Sequence, residues 1–227
     1  MKRDFLVELS HKMIPGKENF KLETHVDDVA QFFPEIKHPS DVWYVIGEIT
    51  MSTHVGTHIE FPYHHLKEGL DAMDYPINNL IGEAIVLDFS YKSNNEPITI
   101  DELKANANRL KRGDIIFFRT DMDKYFHTNR WRETPYLSID AALWLISKFK
   151  PKVIGSDAWD IEDPNFDAQP VHTKLFENNI AMIESATNLA AISNDRVNIL
   201  ILPLPIKGLD ACPVRIVAFS KDSNFFK

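Results

Sequence analysis

The stretch His54-Val55-Gly56-Thr57-His58-Ile59-Glu60-Phe61-Pro62-Tyr63-His64 places three imidazoles and one carboxylate within eleven residues. A regular helix cannot carry them. Pro62 lacks an amide hydrogen and disfavours helical backbone at Phe61, and Gly56 opens conformations closed to other residues. The segment therefore reads as an irregular loop or a short strand whose side chains can converge. Imidazole with carboxylate suits Zn, Mn or Fe(II), and such an ion brings the pKa of a bound water from about 15.7 to about 7. The competing reading is a polar surface loop that happens to be rich in histidine. Two histidines four residues apart would favour that reading; the addition of Glu60 and His64 favours metal.

Around this loop the chain alternates strand and helix signals. Phe5 to Leu9 and Val42 to Ile49 read as strands, with His11, Pro15, Gly16, His25 and Pro34 in a loop between them. Gly82 to Phe89 is an apolar strand. Thr99-Ile100-Asp101-Glu102 has the spacing of a capping box and opens a helix expected to run to about Gly113. Asp114 to Arg119 is a strand, and Thr120 to Leu137 a long loop. Ser138 caps a second helix whose apolar face is Ala141, Leu145, Ile146 and Phe149. Strands follow at Val153 to Gly155, Ile180 to Glu184, Val197 to Pro203 and Val214 to Phe219, with a short helix at His172 to Asn178. The pattern is mixed α/β.

Bulk properties narrow the function. Of 227 residues, 44% are hydrophobic and 26% charged, an ordinary globular profile, and no linker or composition shift divides residues 1–227, so one domain is expected. The formal charge of -8 and the lack of a concentrated basic stretch argue against nucleic acid. Cys212 is the sole cysteine, which excludes an internal disulfide and reads as a small buried hydrophobe. The apolar run after Met1-Lys2-Arg3-Asp4 stops at Glu8, too short for a signal-peptide core, and no window approaches a membrane span. The expectation is a cytoplasmic protein with a small-molecule substrate.

The loop His54 to His64 resembles the signature H-x-G-T-H-x-D-x-P-x-H of the cyclase family of metal-dependent hydrolases, which includes bacterial kynurenine formamidases and isatin hydrolases. Other segments agree in order: Leu9-Ser10-His11, Gly113-Asp114-Ile115-Ile116 before Arg119-Thr120, Gly155-Ser156-Asp157, Pro170-Val171-His172, and Ile183-Glu184 before Thr187-Asn188-Leu189. The resemblance implies an α/β fold with a mixed β-sheet or barrel-like core flanked by helices, assembled as a homodimer or homotetramer. It also implies a first ion held by His54, His58 and Glu60, a second completed by His172 and Glu184, and His64 as general acid/base. Alone, His172 reads as a helix-start histidine bonded to a nearby carbonyl, and Glu184 as a strand-end carboxylate that is either exposed or neutralised by a cation. Glu60 departs from the family's aspartate. Its extra methylene shifts the carboxylate by roughly 1 Å or more, so the number of ions, one or two, stays open.

The expected activity is hydrolysis of an amide carbon–nitrogen bond, in an aryl formamide or a cyclic amide, or of a lactone's ester bond, by hydroxide on a Zn or Mn ion. Phe61, Tyr63, Trp43 and Trp159 favour core packing as their duty, with lining an apolar pocket for a planar substrate as the alternative. Asp157 and Asp160 are reserve ligands. Two rivals remain: a non-haem Fe(II) oxygenase, since two histidines and a carboxylate also suit iron, and a catalytically silent metal- or ligand-binding protein on the same scaffold.

Overall fold

In the central strands apolar residues alternate between two faces, and that division sets the architecture. A computed structural model describes residues 5–192 and 196–220; the Met1 to Asp4 start lies outside them. In chain order the elements are β1 (Leu6–Glu8), β2 (Leu22–Asp28), α1 (Val29–Phe32), β3 (Val45–Met51), β4 (His58–Glu60), β5 (Ile81–Asp88), β6 (Pro97–Ile98), α2 (Ile100–Ala105), β7 (Ile115–Arg119) and β8 (Tyr136–Leu137). There follow α3 (Ile139–Phe149), β9 (Val153–Ser156), α4 (Pro170–Glu177), β10 (Ala181–Glu184), β11 (Arg196–Leu202), β12 (Ala211–Pro213) and β13 (Arg215–Ser220).

Nine strands form one curled, half-barrel sheet in the order β1-β13-β11-β5-β7-β9-β10-β4-β12. Its centre, β5-β7-β9-β10, is parallel, because each strand reaches the next through a helix; both flanks are antiparallel. Helices α2, α3 and α4 cover one face, where Ile85, Leu87, Ile116, Phe118, Ile154 and Met182 meet Leu103, Ala141, Leu145, Val171 and Leu175. The opposite face curls around a second core that includes Val86, Phe117, Ile183, Ile59, Ile199 and Ile216. Gly155 faces that interior because Phe117 lies over it: a Cβ there would stand 2.5 Å from Phe117 Cε1. Among the described residues, no helix is long and apolar enough to cross a membrane.

Several boundaries differ from expectation. The helix opened by Thr99 stops at Ala105 rather than near Gly113, because the Asn106 side chain donates back to Glu102 O at 3.0 Å and the chain passes into a 3-10 turn at Ala107–Arg109. The helix containing His172 starts two residues earlier, at Pro170, a residue suited to the first helical position. Strand β2 lies in what reads as loop; it pairs with β3 as a separate antiparallel hairpin whose residues are mostly exposed, so no apolar alternation marks it. Cys212 is buried on β12 opposite Ile59.

Candidate metal centre

Period two in β4 sends Ile59 into the interior core and His58 and Glu60 together to the helix-covered face. Across the antiparallel pair with β10, Glu184 lies opposite His58 and Met182 opposite Glu60, so Glu184 joins the same face. The turn before β4 hinges at Gly56, whose φ of +66° suits glycine, and brings His54 over the strand. His172 arrives from the first turn of α4 above the sheet.

These five side chains converge. His54 Nδ1 lies 2.9 Å from Glu60 Oε1 and 3.2 Å from His58 Nε2, which is itself 3.4 Å from the same Glu60 oxygen. His172 Nε2 lies 3.4 Å from Glu60 Oε2 and 3.5 Å from Glu184 Oε1, and His58 Nε2 lies 3.5 Å from Glu184 Oε2. One ligand atom from each of His54, His58 and Glu60 falls within 4.8 Å of the others, as does one from each of Glu60, His172 and Glu184. Glu60 is common to both groups. His58 turns Nε2 inward because its Nδ1 bonds Gly56 O at 3.0 Å, and His172 does likewise because Nδ1 bonds Glu162 Oε1 at 2.9 Å.

The electrostatics are those of a buried anion pair short of positive charge. Burial pushes the Glu60 carboxyl up, but hydrogen bonds from His172, His54 and His58 outweigh it and hold it well below the usual range. Burial, reinforced by repulsion from Glu60 and Asp160, drives Glu184 well above its ordinary value. Burial lowers His54, yet Asp210 and Glu60 raise it to about 10; His172 is raised by Glu162, Glu184 and Glu60 against its own burial. A bound cation would offset the carboxylates' charge that these shifts reflect. Glu60 Oε2 is buried, and its contact with His172 Nε2, at 3.4 Å, does not meet hydrogen-bond geometry, which leaves its acceptor capacity unspent. The donor set and this orphaned oxygen fit a divalent ion.

His64 stands beside the group in the turn Pro62–His64, its ring centroid 4.7 Å from that of His54. Its Nδ1 lies 3.0 Å from Asp210 Oδ2, which is also 3.0 Å from His54 Nε2. With His54, His58, Glu60, His172 and Glu184 it lines a cavity of about 260 Å³, walled by Phe20, Trp131 and Trp159. Phe20 stacks on Trp159 at 5.4 Å, and Trp131 meets Trp159 edge-on at 4.7 Å.

Of the four aromatics weighed between core and pocket, Trp159 lines the pocket and the other three do not. Phe61 is buried in the interior core because its position on the β4 path alternates inward, Trp43 is 85% exposed near the hairpin, and Tyr63 is partly exposed. Asp160 borders the cavity, 3.9 Å from His172 Nε2. Asp157 instead accepts from Thr120 N, Thr120 Oγ1 and Asp121 N, away from this cluster. His65 stacks on His172 and bonds Thr173 and Gln169, and His11 stacks on Phe126. Sequence reasoning missed Glu162, Asp210, Phe20 and Trp131; Asp210 reads as one more turn aspartate until β12 pairs with β4.

Comparison with known proteins gives the family. Residues 7–163 match the Cyclase family model, described as "Putative cyclase". The kynurenine formamidase of Geobacillus thermodenitrificans (strain NG80-2) is 32% identical over 175 residues, 75% of this chain and 78% of that protein. The kynurenine formamidase of Erythrobacter litoralis (strain HTCC2594) is 30% identical over 168 residues, 73% of each. The structure of an isatin hydrolase bound to the product analogue thioisatinate superposes with a TM-score of 0.80 at 20% identity, covering 95% of this chain and 92% of that one, a likeness of fold.

Proposed function

The chain belongs to the cyclase family, and from that premise we propose that it is a metal-dependent hydrolase cleaving the amide carbon–nitrogen bond of a small aryl formamide or cyclic amide, or the ester bond of a lactone. One observation carries the reading: His54 Nδ1, His58 Nε2 and Glu60 Oε1 converge on one point at the floor of a cavity walled by aromatic rings. The relatives are named for cleaving a formamide and the structural neighbour for hydrolysing isatin.

In this reading His54, His58 and Glu60 would hold one Zn or Mn ion, and His172 and Glu184 would be ligands of a second where two bind. Such an ion, when bound, supplies Lewis acidity that polarises a carbonyl and acidifies water. The remaining work falls to the protein. His64 accepts a proton from the attacking water at Nε2, the nitrogen its bond to Asp210 leaves over, and returns it to the departing nitrogen. Proton transfer of this kind contributes about 10²–10⁴-fold. Phe20, Trp131 and Trp159 exclude bulk water and favour a planar substrate, and about 260 Å³ admits a small molecule only. Residues 1–227 act as one domain, and the exposed apolar side chains of the β2–β3 region, Val26, Trp43 and Ile49, support a homodimer or homotetramer.

The test is a panel of aryl formamides, isatin-like lactams and lactones, run on protein stripped by chelator and reloaded with Zn or Mn. Stripping is expected to abolish turnover and reloading to restore it. His58→Ala should lose metal and turnover together, whereas His64→Ala should keep metal and lose turnover about 100-fold or more. Full turnover in stripped protein, or oxygen consumption with bound iron, overturns the reading.

A further inference from the structure

Among the described residues, Asp210 is the one carboxylate within hydrogen-bond distance of both a proposed metal ligand and the proposed acid/base. Its Oδ2 lies 3.0 Å from His54 Nε2 and 3.0 Å from His64 Nδ1. The residue is held from behind by the sheet: its carbonyl accepts Phe61 N at 2.9 Å, and the next residue, Ala211, pairs with Glu60 across β12 and β4. The carboxylate is thus fixed to the strand that carries His58 and Glu60.

We propose that Asp210 is a positioning residue that locks His64 as its Nδ1–H tautomer beside His54, so that the unprotonated Nε2 serves the cavity. The inference rests on the role given to His64 above. A carboxylate has no hydrogen to donate, so both imidazoles must present N–H to its Oδ2. For His54 that leaves Nδ1 for the ion, the usual arrangement in which a ligand's outer nitrogen is tied to a carboxylate. For His64 it leaves Nε2 as the lone-pair nitrogen, the state a general base needs before the first proton moves. The ring is also fixed laterally: Phe176 meets it edge-on with centroids 6.2 Å apart, and His65 flanks it at 5.0 Å. Phe176 and His65 set where the ring lies, and Asp210 sets which nitrogen carries hydrogen. The same three groups, His54, His64 and Asp210, are also close enough to ligate an ion, which is the competing use of these atoms.

The test joins a spectroscopic and a kinetic readout. In protein with ¹⁵N-labelled histidine, stripped or loaded with Zn, long-range proton–nitrogen correlation is expected to report His64 as the Nδ1–H tautomer. Asp210→Ala should give a mixture of tautomers. At saturating metal, Asp210→Ala should lower kcat about 100-fold with KM changed less than about 3-fold, and Asp210→Asn, which keeps an acceptor oxygen, should recover part of that loss. In a His64→Ala background, adding Asp210→Ala should cost less than about 2-fold, because the two act as one unit. An Nε2–H tautomer in the unmodified protein, fully multiplicative losses, or an ion lost from Asp210→Ala at saturating metal overturns the proposal. Unmodified protein that turns over nothing in the panel counts against the hydrolase reading, and the tautomer measurement then decides the role of Asp210.

Discussion

Replacing Glu162 by Ala should weaken both the fold and the grip on metal, by amounts the structure sets. Glu162 Oε1 accepts two hydrogens from His172, from the backbone N–H at 2.6 Å and from Nδ1 at 2.9 Å. The backbone N–H belongs to the first turn of α4, where no helical partner exists. Removing the acceptor strands two buried donors at about 1–3 kcal/mol each, so the gross cost is about 2–6 kcal/mol. Two effects offset it. The second oxygen, Oε2, is itself buried without a partner, so its removal relieves a cost, and Glu162 borders a cavity of about 300 Å³ from which water can follow. A net loss of about 2–3 kcal/mol results. Glu162→Gln keeps an acceptor and loses only charge assistance, about 1 kcal/mol. Urea unfolding of chelator-stripped protein measures this free of linkage to bound metal. Competition with a chromogenic chelator should show metal affinity reduced about 10–100-fold in Glu162→Ala, because His172 loses its orientation. Stability within about 0.5 kcal/mol of the unmodified protein, unchanged metal affinity, or a glutamine variant as damaged as the alanine one would refute the reasoning.

Gly155→Ala should cost about 1–3 kcal/mol in urea unfolding, because the new methyl would press on Phe117 and lie 3.2 Å from Ile183 Cβ; a neutral result would mean the interior core has unseen room. Asp157 tests the electrostatics away from the metal centre. Burial raises its carboxyl from 3.8 to about 7 despite the hydrogen bonds from Thr120 and Asp121. The folded state therefore binds this proton more tightly than the unfolded chain, so its stabilising contribution is complete below about pH 4 and is lost as pH rises through 7. The stability difference between the protein and Asp157→Asn should shift toward the variant by at most about 4 kcal/mol across that window, and a difference constant with pH would refute the shift.

Local chemistry was legible in the sequence wherever it depended on neighbours along the chain. Thr99 and Glu102 form the reciprocal cap their spacing implies, and Ser138 caps α3 through Ala141 N. His58 and Glu60 share a face because strand geometry requires it of residues two apart. The barrel-like curl was legible only through family resemblance, since no local pattern dictates where β10 meets β4. Glu162 and Asp210 escaped for the same reason: each acts on a histidine 10 or more residues away, Asp210 across 156 and 146 positions. Phe61 packs in the core, the readier duty of an aromatic there, whereas Trp43 stands exposed because aromatic character does not say which side of a strand or turn a ring occupies; Phe20 and Trp131 reach the cavity from outside the motif. Strand β2 stayed hidden because Glu23, His25 and Asp27 make it polar on an exposed hairpin.

The most direct test is an anomalous-difference map from crystals of protein loaded with Zn or Mn, recorded across the metal's absorption edge. The account predicts a peak within about 2.0–2.3 Å of His54 Nδ1, His58 Nε2 and a Glu60 oxygen. A peak only at His54 Nε2, His64 and Asp210, a peak only among Asp121, Asp123 and Asp157, or no peak at stoichiometric loading would contradict it.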